Sequence, residues 1–207
     1  MLTGRSRRPG QRGVTLLELM VTVSMVGILL AIGVPNMADW IRRSSVRGAA
    51  ESVQNGLRQA LAEAVRRNHQ VEFLLTNGTP SLSGIRTLTS TANGKNWAAR
   101  VLGADNLPLA TPADAYVGSF AMQEIAADVS VGGPANLVFN GNGRVQALDG
   151  TAPSTPQVFR ISRTGADKVY CVFVTPGGGI KMCDPSSPSG NPAACAPQLA
   201  ADLCAGP

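Results

Sequence analysis

The stretch from Gly10 to Met37 reads GQRGVTLLELMVTVSMVGILLAIGVPNM. From Val14 to Val34 almost every residue is apolar. Such a run, roughly 20 residues long, can cross a bilayer as a helix. Arg5, Arg7, Arg8 and Arg12 precede it and carry four of the five net positive charges of the 207-residue chain. By the positive-inside rule that end stays cytoplasmic and the remainder is exported. A cleaved secretory signal would have a shorter apolar core followed by a small-residue cleavage site. Here the run passes through Pro35 into a polar helical pattern instead. Glu18 is the exception within the run. A carboxylate costs about 2.5–3.5 kcal/mol at mid-bilayer on insertion scales, and less near the interface. Glu18 either snorkels to the interface or has a cationic partner, and its own helix offers none nearby. A cut between Gly13 and Val14 would create an α-amino cation one turn away.

Basic residues, a glycine and then VTLLELMVTVSMVGILLAIGVP resemble the leader and N-terminal helix of type IV pilins and pseudopilins. The resemblance implies cleavage after Gly13 by a prepilin peptidase, which also methylates the new N-terminal residue, Val14. The family usually carries phenylalanine at that position. It further implies that Glu18 meets the N-terminal amine of a neighbouring subunit during assembly. Farther along, RQALAEAVRRNHQVEFLL resembles the helix end and first strand of the GspH/FimT family of minor pilins and pseudopilins. The implied partners are the peptidase, other pilin or pseudopilin subunits and the bacterial inner membrane. The implied location is single-pass, with a cytoplasmic N-terminus and a periplasmic C-terminal domain, then a filament in the periplasm or at the cell surface.

Pro35 removes one helical hydrogen bond and should kink the helix without ending it. Beyond it, Val46, Ala49, Ala50, Val53, Leu57, Leu61, Ala64 and Val65 recur at three- and four-residue spacing, one apolar stripe suited to packing on a sheet. After Asn68 the period changes to that of strands. His69, the only histidine, marks this boundary and is read as neither ligand nor base. Strands are expected at 70–75, 97–102, 119–122, 128–131, 137–139, 144–147, 158–162, 169–174 and 180–183. The stretch from Asn77 to Ala115 is otherwise poorly patterned and reads as holding a long loop. FNGNGRV reads as a glycine–asparagine hairpin, and VYCVFVTPGGGIKMC as a second hairpin turning at Pro176–Gly178. A single helical turn is expected around Leu199–Leu203.

The fold class is therefore α+β: a long N-terminal helix, half transmembrane and half amphipathic, packed on a small antiparallel β domain of the pilin type. The organisation is a cleaved basic leader (1–13), a transmembrane helix (14–35), an amphipathic helix (36–68), a periplasmic β domain (69–183) and a Pro/Ala/Ser-rich tail (184–207).

Cys171, Cys183, Cys195 and Cys204 all lie on the exported side, where disulfides are the default. No Cys-x-x-Cys pair suggests a metal. The second hairpin places Cys171 opposite Cys183, which favours a bond between them and a Cys195–Cys204 bond within the tail. The competing scheme joins Cys183 to Cys204.

No catalytic triad, metal cluster or nucleotide loop is legible, and no cofactor is called for. The expected function is a non-enzymatic structural subunit of a type IV pilus or type II secretion filament. One alternative is a FimT-like DNA-binding pilin for DNA uptake. The family pattern there includes Gly-Arg-x-Arg, but this chain has Gly178-Gly179-Ile180-Lys181. Phosphate attraction scales with the cations presented, so DNA is disfavoured as a partner. The other alternative is a membrane-anchored periplasmic binding domain outside any filament.

Overall fold

The computed structural model describes residues 13–195 and Cys204. The expected leader before Gly13 and the helical turn around Leu199–Leu203 lie outside the described residues. The chain divides into two compact units, one ending at Trp40 and one beginning at Ile41.

One helix, α1, spans Leu16–Arg67 and continues through Pro35. Its end is built by Asn68, whose φ of 52° places it in the left-handed region that asparagine tolerates. The amide of His69 donates to the Ala64 carbonyl (3.2 Å) and that of Asn68 to Val65 (3.3 Å). This pair of bonds is a Schellman cap, and it reverses the chain directly into the first strand. His69 is exposed at that corner.

Among the described residues, nine strands follow. They are β1 (Gln70–Thr76), β2 (Asn96–Leu102), β3 (Tyr116–Ala121), β4 (Val129–Gly132), β5 (Asn136–Phe139), β6 (Val145–Gln146), β7 (Gln157–Arg163), β8 (Tyr170–Val174) and β9 (Ile180–Cys183). A short helix, α2, occupies Pro112–Ala115. The strands form two antiparallel sheets, ordered β3-β2-β1-β5-β6 and β4-β7-β8-β9.

From Ile41 onward, α1 buries Val46, Ala49, Ala50, Val53, Leu57, Ala60 and Ala64 in one core. Residues on one face of each sheet complete it: Val71, Phe73 and Leu75 of β1, and Phe159, Ile161, Val172 and Val174 of the second sheet. Val65 departs from the expected stripe and stays 53% exposed, while Ala60 takes its place inside. The buried row follows the true helical period, which carries position 65 off the sheet-facing side. Phe73 sits where the sheets meet. Its ring stacks on Trp97 and meets Phe159 edge-on, each with centroids 5.5 Å apart.

Each sheet is also covered on its outer face. Over the first lie Leu74, Ala98, Ile85 and Ala115, with Leu88 packed against them. Over the second lie Val158, Val169, Cys171, Phe173 and Cys183, joined by Cys204.

Both expected hairpins form. In the first, β5 pairs with β6, with Gly143 at φ 75° and its amide bonded to the Asn140 carbonyl (2.8 Å). In the second, β8 pairs with β9 around Gly178, at φ 86°. The turns are fastened together by the Val145 amide donating to the Pro176 carbonyl (3.0 Å). A β-carbon on Gly178 would collide with the Gly143 carbonyl oxygen, so both position and conformation demand glycine there.

Candidate functional site

The first candidate site is the start of α1. Gly13, Val14 and Thr15 precede the helix. Thr15 caps it: its Oγ1 accepts from the Glu18 amide (3.2 Å) and its carbonyl accepts from the Leu19 amide (3.1 Å). Threonine followed three residues later by glutamate is the sequence signature of a capping box. That signal is present in TLLE, where the stronger membrane pattern masks it. It gives Glu18 a local role as well, since a carboxylate in the first turn is favoured by the helix dipole.

Among the described residues, nothing lies within 4 Å of where a Gly13 β-carbon would sit. The packing of the described residues therefore makes no demand for glycine at position 13. From Val14 to Val34 the large apolar side chains are exposed, from 46% at Val21 to 77% at Leu16. Besides Thr15, the two hydroxyls in this stretch are satisfied within the helix. Thr22 Oγ1 donates to the Leu19 carbonyl (2.9 Å) and Ser24 Oγ to the Met20 carbonyl (2.8 Å). An apolar exterior with internally satisfied polar groups is what a bilayer requires.

The second candidate site is the cysteine cluster. Register places Cys171 directly opposite Cys183, as the hairpin reading expected. The expected bonds do not follow. Cys171 is joined to Cys204 and Cys183 to Cys195, with Cα–Cα distances of 6.2 and 4.9 Å. The Cys183–Cys204 scheme is also overturned. Both strand sulfurs face the outer side of the second sheet, where Cys195 and Cys204 join them. Hydrogen bonds already hold β8 to β9, so linking those strands again would constrain little. Bonds closing sequence separations of 33 and 12 residues instead tie Cys204 and Cys195 to the sheet. The sulfurs of Cys183, Cys195 and Cys204 lie within 4.8 Å of one another. All are oxidised, so none offers a thiolate to a metal.

Asp184 anchors the same segment. It accepts from Lys168 Nζ (3.1 Å) and from the Ser186 amide (2.8 Å), while its own amide donates to the Ala193 carbonyl (2.8 Å). Burial pushes its carboxyl upward, but the Ser186 and Lys168 hydrogen bonds outweigh that and hold it below the ordinary aspartate range.

The capped apolar helix in front of a two-sheet domain has counterparts. Residues 49–178 match the family described as type II transport protein GspH. The chain belongs to the GspH family. Residues 8–34 match the prokaryotic N-terminal methylation motif. Pilin and pseudopilin families of this kind are structural subunits, not enzymes.

A fimbrial protein of Pseudomonas aeruginosa is 34% identical over 70 residues, covering 34% of this chain and 43% of that protein. The type IV major fimbrial protein FimA of Dichelobacter nodosus is 46% identical over 55 residues, covering 26% of this chain and 32% of FimA. The chain thus spans less than half the length of these curated relatives. Among solved structures, the type IV minor pilin FimU of Pseudomonas aeruginosa aligns with a TM-score of 0.48 at 20% identity, covering 75% of this chain and 98% of FimU. The minor pseudopilin EpsH of the Vibrio cholerae type 2 secretion system aligns at 0.47 and 15% identity, covering 69% and 99%.

Proposed function

We propose that this chain is a non-enzymatic minor pilin or pseudopilin, built into a type IV pilus or type II secretion filament through its N-terminal helix. The observation that carries this reading is the pairing, in one chain, of a methylation motif over residues 8–34 with a GspH domain over 49–178. The exposed apolar surface between Val14 and Val34 supports it, since a soluble life would leave that surface in water.

On this reading residues 1–13 are a leader cut after Gly13 by prepilin peptidase, and Val14 becomes the N-methylated first residue. Open space around Gly13 among the described residues supports recognition by another protein, because their packing does not need glycine there. Residues 14–35 store the subunit in the inner membrane with the N-terminus cytoplasmic, and Pro35 bends the helix. Residues 36–68 and 69–183 form the periplasmic body, with the tail at 184–207 fixed by the disulfides. Glu18 pairs with a neighbour's N-terminal amine during assembly.

The test is mass spectrometry of the N-terminus from cells with and without the peptidase. The expected result is a methylated Val14 start only when the peptidase is present, with Gly13→Leu blocking the cut. An intact Met1 start in wild-type cells refutes the reading.

A further inference from the structure

The two disulfides are close enough to exchange. Cys195 Sγ lies 4.0 Å from Cys204 Sγ, although each is bonded elsewhere. Cys171, Cys183 and Cys204 are buried, whereas Cys195 is half-buried and the least enclosed of the four. We propose that the cluster is a redox latch, in which reduction of the Cys183–Cys195 bond alone also releases the Cys171–Cys204 tether.

The chemistry balances with one equivalent of a dithiol reductant. One thiolate of the reductant attacks the Cys195 sulfur and expels the Cys183 thiolate. The second thiol of the reductant resolves the mixed disulfide, leaves as a cyclic disulfide and frees Cys195. The Cys195 thiolate then attacks the neighbouring Cys204 sulfur. An S–S bond forms between Cys195 and Cys204, and the bond to Cys171 breaks with its electron pair on Cys171. Two electrons enter, and two protons end on the Cys171 and Cys183 sulfurs. Two sulfur tethers to the second sheet are lost for one reduced bond.

Both tethers hold Cys195 and Cys204 against the apolar cluster on the outer face of the second sheet, where Val158, Val169 and Phe173 are buried. Their release would take Cys195 and Cys204 out of that cluster. Among the described residues, Lys168 Nζ still holds Asp184 and Ser186.

The full-length protein, in detergent, is treated with one equivalent of dithiothreitol, quenched with acid and alkylated. Trypsin cuts after Lys168 and Lys181, and a protease cutting before aspartate cuts at Asp184 and Asp202, so the four cysteines fall on separate peptides. The expected product is a Cys195–Cys204 linkage with Cys171 and Cys183 alkylated to equal extents. Surviving Cys171–Cys204, with alkylation confined to Cys183 and Cys195, overturns the proposal. Cys183→Ser provides the second arm by leaving Cys195 unpaired without any reductant. Cys195–Cys204 with a free Cys171 supports the latch, and Cys171–Cys204 with a free Cys195 overturns it. A misfolded variant leaves the wild-type arm decisive.

Discussion

The indole of Trp97 lies against the Cα of Gly56. A β-carbon there would sit 2.7–2.8 Å from three atoms of the ring. One turn earlier, Ser52 Oγ accepts the indole N–H (3.1 Å), so the ring cannot slide away without losing its partner. This contact fixes how closely α1 approaches the first sheet.

Gly56→Ala should therefore destabilise the protein, although alanine is the better helix former by about 1 kcal/mol. Overpacking of this kind costs about 1–3 kcal/mol. Gly48 is the control, since nothing lies within 4 Å of where its β-carbon would sit. Gly48→Ala should raise the thermal midpoint while Gly56→Ala lowers it. Equal shifts of the same sign would show that the seam is loose.

A second relationship concerns charge. Glu72 and Arg100 face each other across β1 and β2, at 1% and 9% exposure. Arg100 Nε donates to Glu72 Oε2 (2.7 Å), and Asn136 Nδ2 donates to Oε1 (3.0 Å). A guanidinium nitrogen of Arg100 also donates to the carbonyls of Ile85 (3.0 Å) and Leu88 (2.9 Å). The pair thus pins the segment between β1 and β2 over the outer face of the sheet. Arg100→Met should cost about 3–5 kcal/mol, because it strands a buried carboxylate. Adding Glu72→Leu to it should recover part of that loss in chemical denaturation. Recovery stays partial because the Ile85 and Leu88 carbonyls still lack a donor. A double variant no more stable than Arg100→Met would refute the stranded-charge account.

These residues also show what the sequence can and cannot reveal. Strand β8 is legible as a short apolar run, and the hairpins are legible because turn glycines bound them. The stretch from Asn77 to Ala115 reads as poorly patterned for a physical reason. Strand β2, expected at 97–102 and found at Asn96–Leu102, is buried on both faces, so NWAARVL shows no alternation and its arginine looks like a surface residue. What covers it, Ile85 and Leu88, lies in a segment with no periodicity. Helix α2 is only four residues long and escapes a sequence reading for the same lack of period. The disulfide partners are illegible because register fixes which strand residues face each other, not what arrives on their outer side.

The Asp184 carboxyl makes the tail anchor pH-sensitive. Its pKa is held below the ordinary value of 3.8 by the Ser186 and Lys168 hydrogen bonds, against the opposing effect of burial. A depressed folded-state pKa contributes stability that is present above the unfolded value and lost as pH falls through the folded one. Acidification below about pH 4 should therefore loosen the segment after Cys183, read as faster amide exchange at Asp184 and Ser186. Asp184→Asn should exchange faster at neutral pH and respond less to acid. Unchanged protection in wild-type protein well below that pH would refute the anchor.

Glu18 has two competing explanations, and Thr15 separates them. If its value lies in starting α1, then the Thr15 cap and the Glu18 carboxylate act on the same first turn. Thr15→Ala and Glu18→Gln should then weaken filament entry alike, each by fraying the helix start. If its value lies in meeting a neighbour's amine, only the charge matters. An unpaired carboxylate drawn into an apolar bundle is costly, while a paired one is tolerated, so pairing would set where subunits add. Glu18→Gln should then leave membrane insertion and cleavage after Gly13 intact yet reduce incorporation, and Glu18→Val should insert at least as well and still assemble poorly. Thr15→Ala should assemble close to wild type. The measurement is sheared-filament content against membrane content for each variant, in cells lacking the wild-type copy. Wild-type incorporation of both Glu18 variants would leave it an interface residue that snorkels to water, and equal losses in Thr15→Ala and Glu18→Gln would assign it to the helix cap.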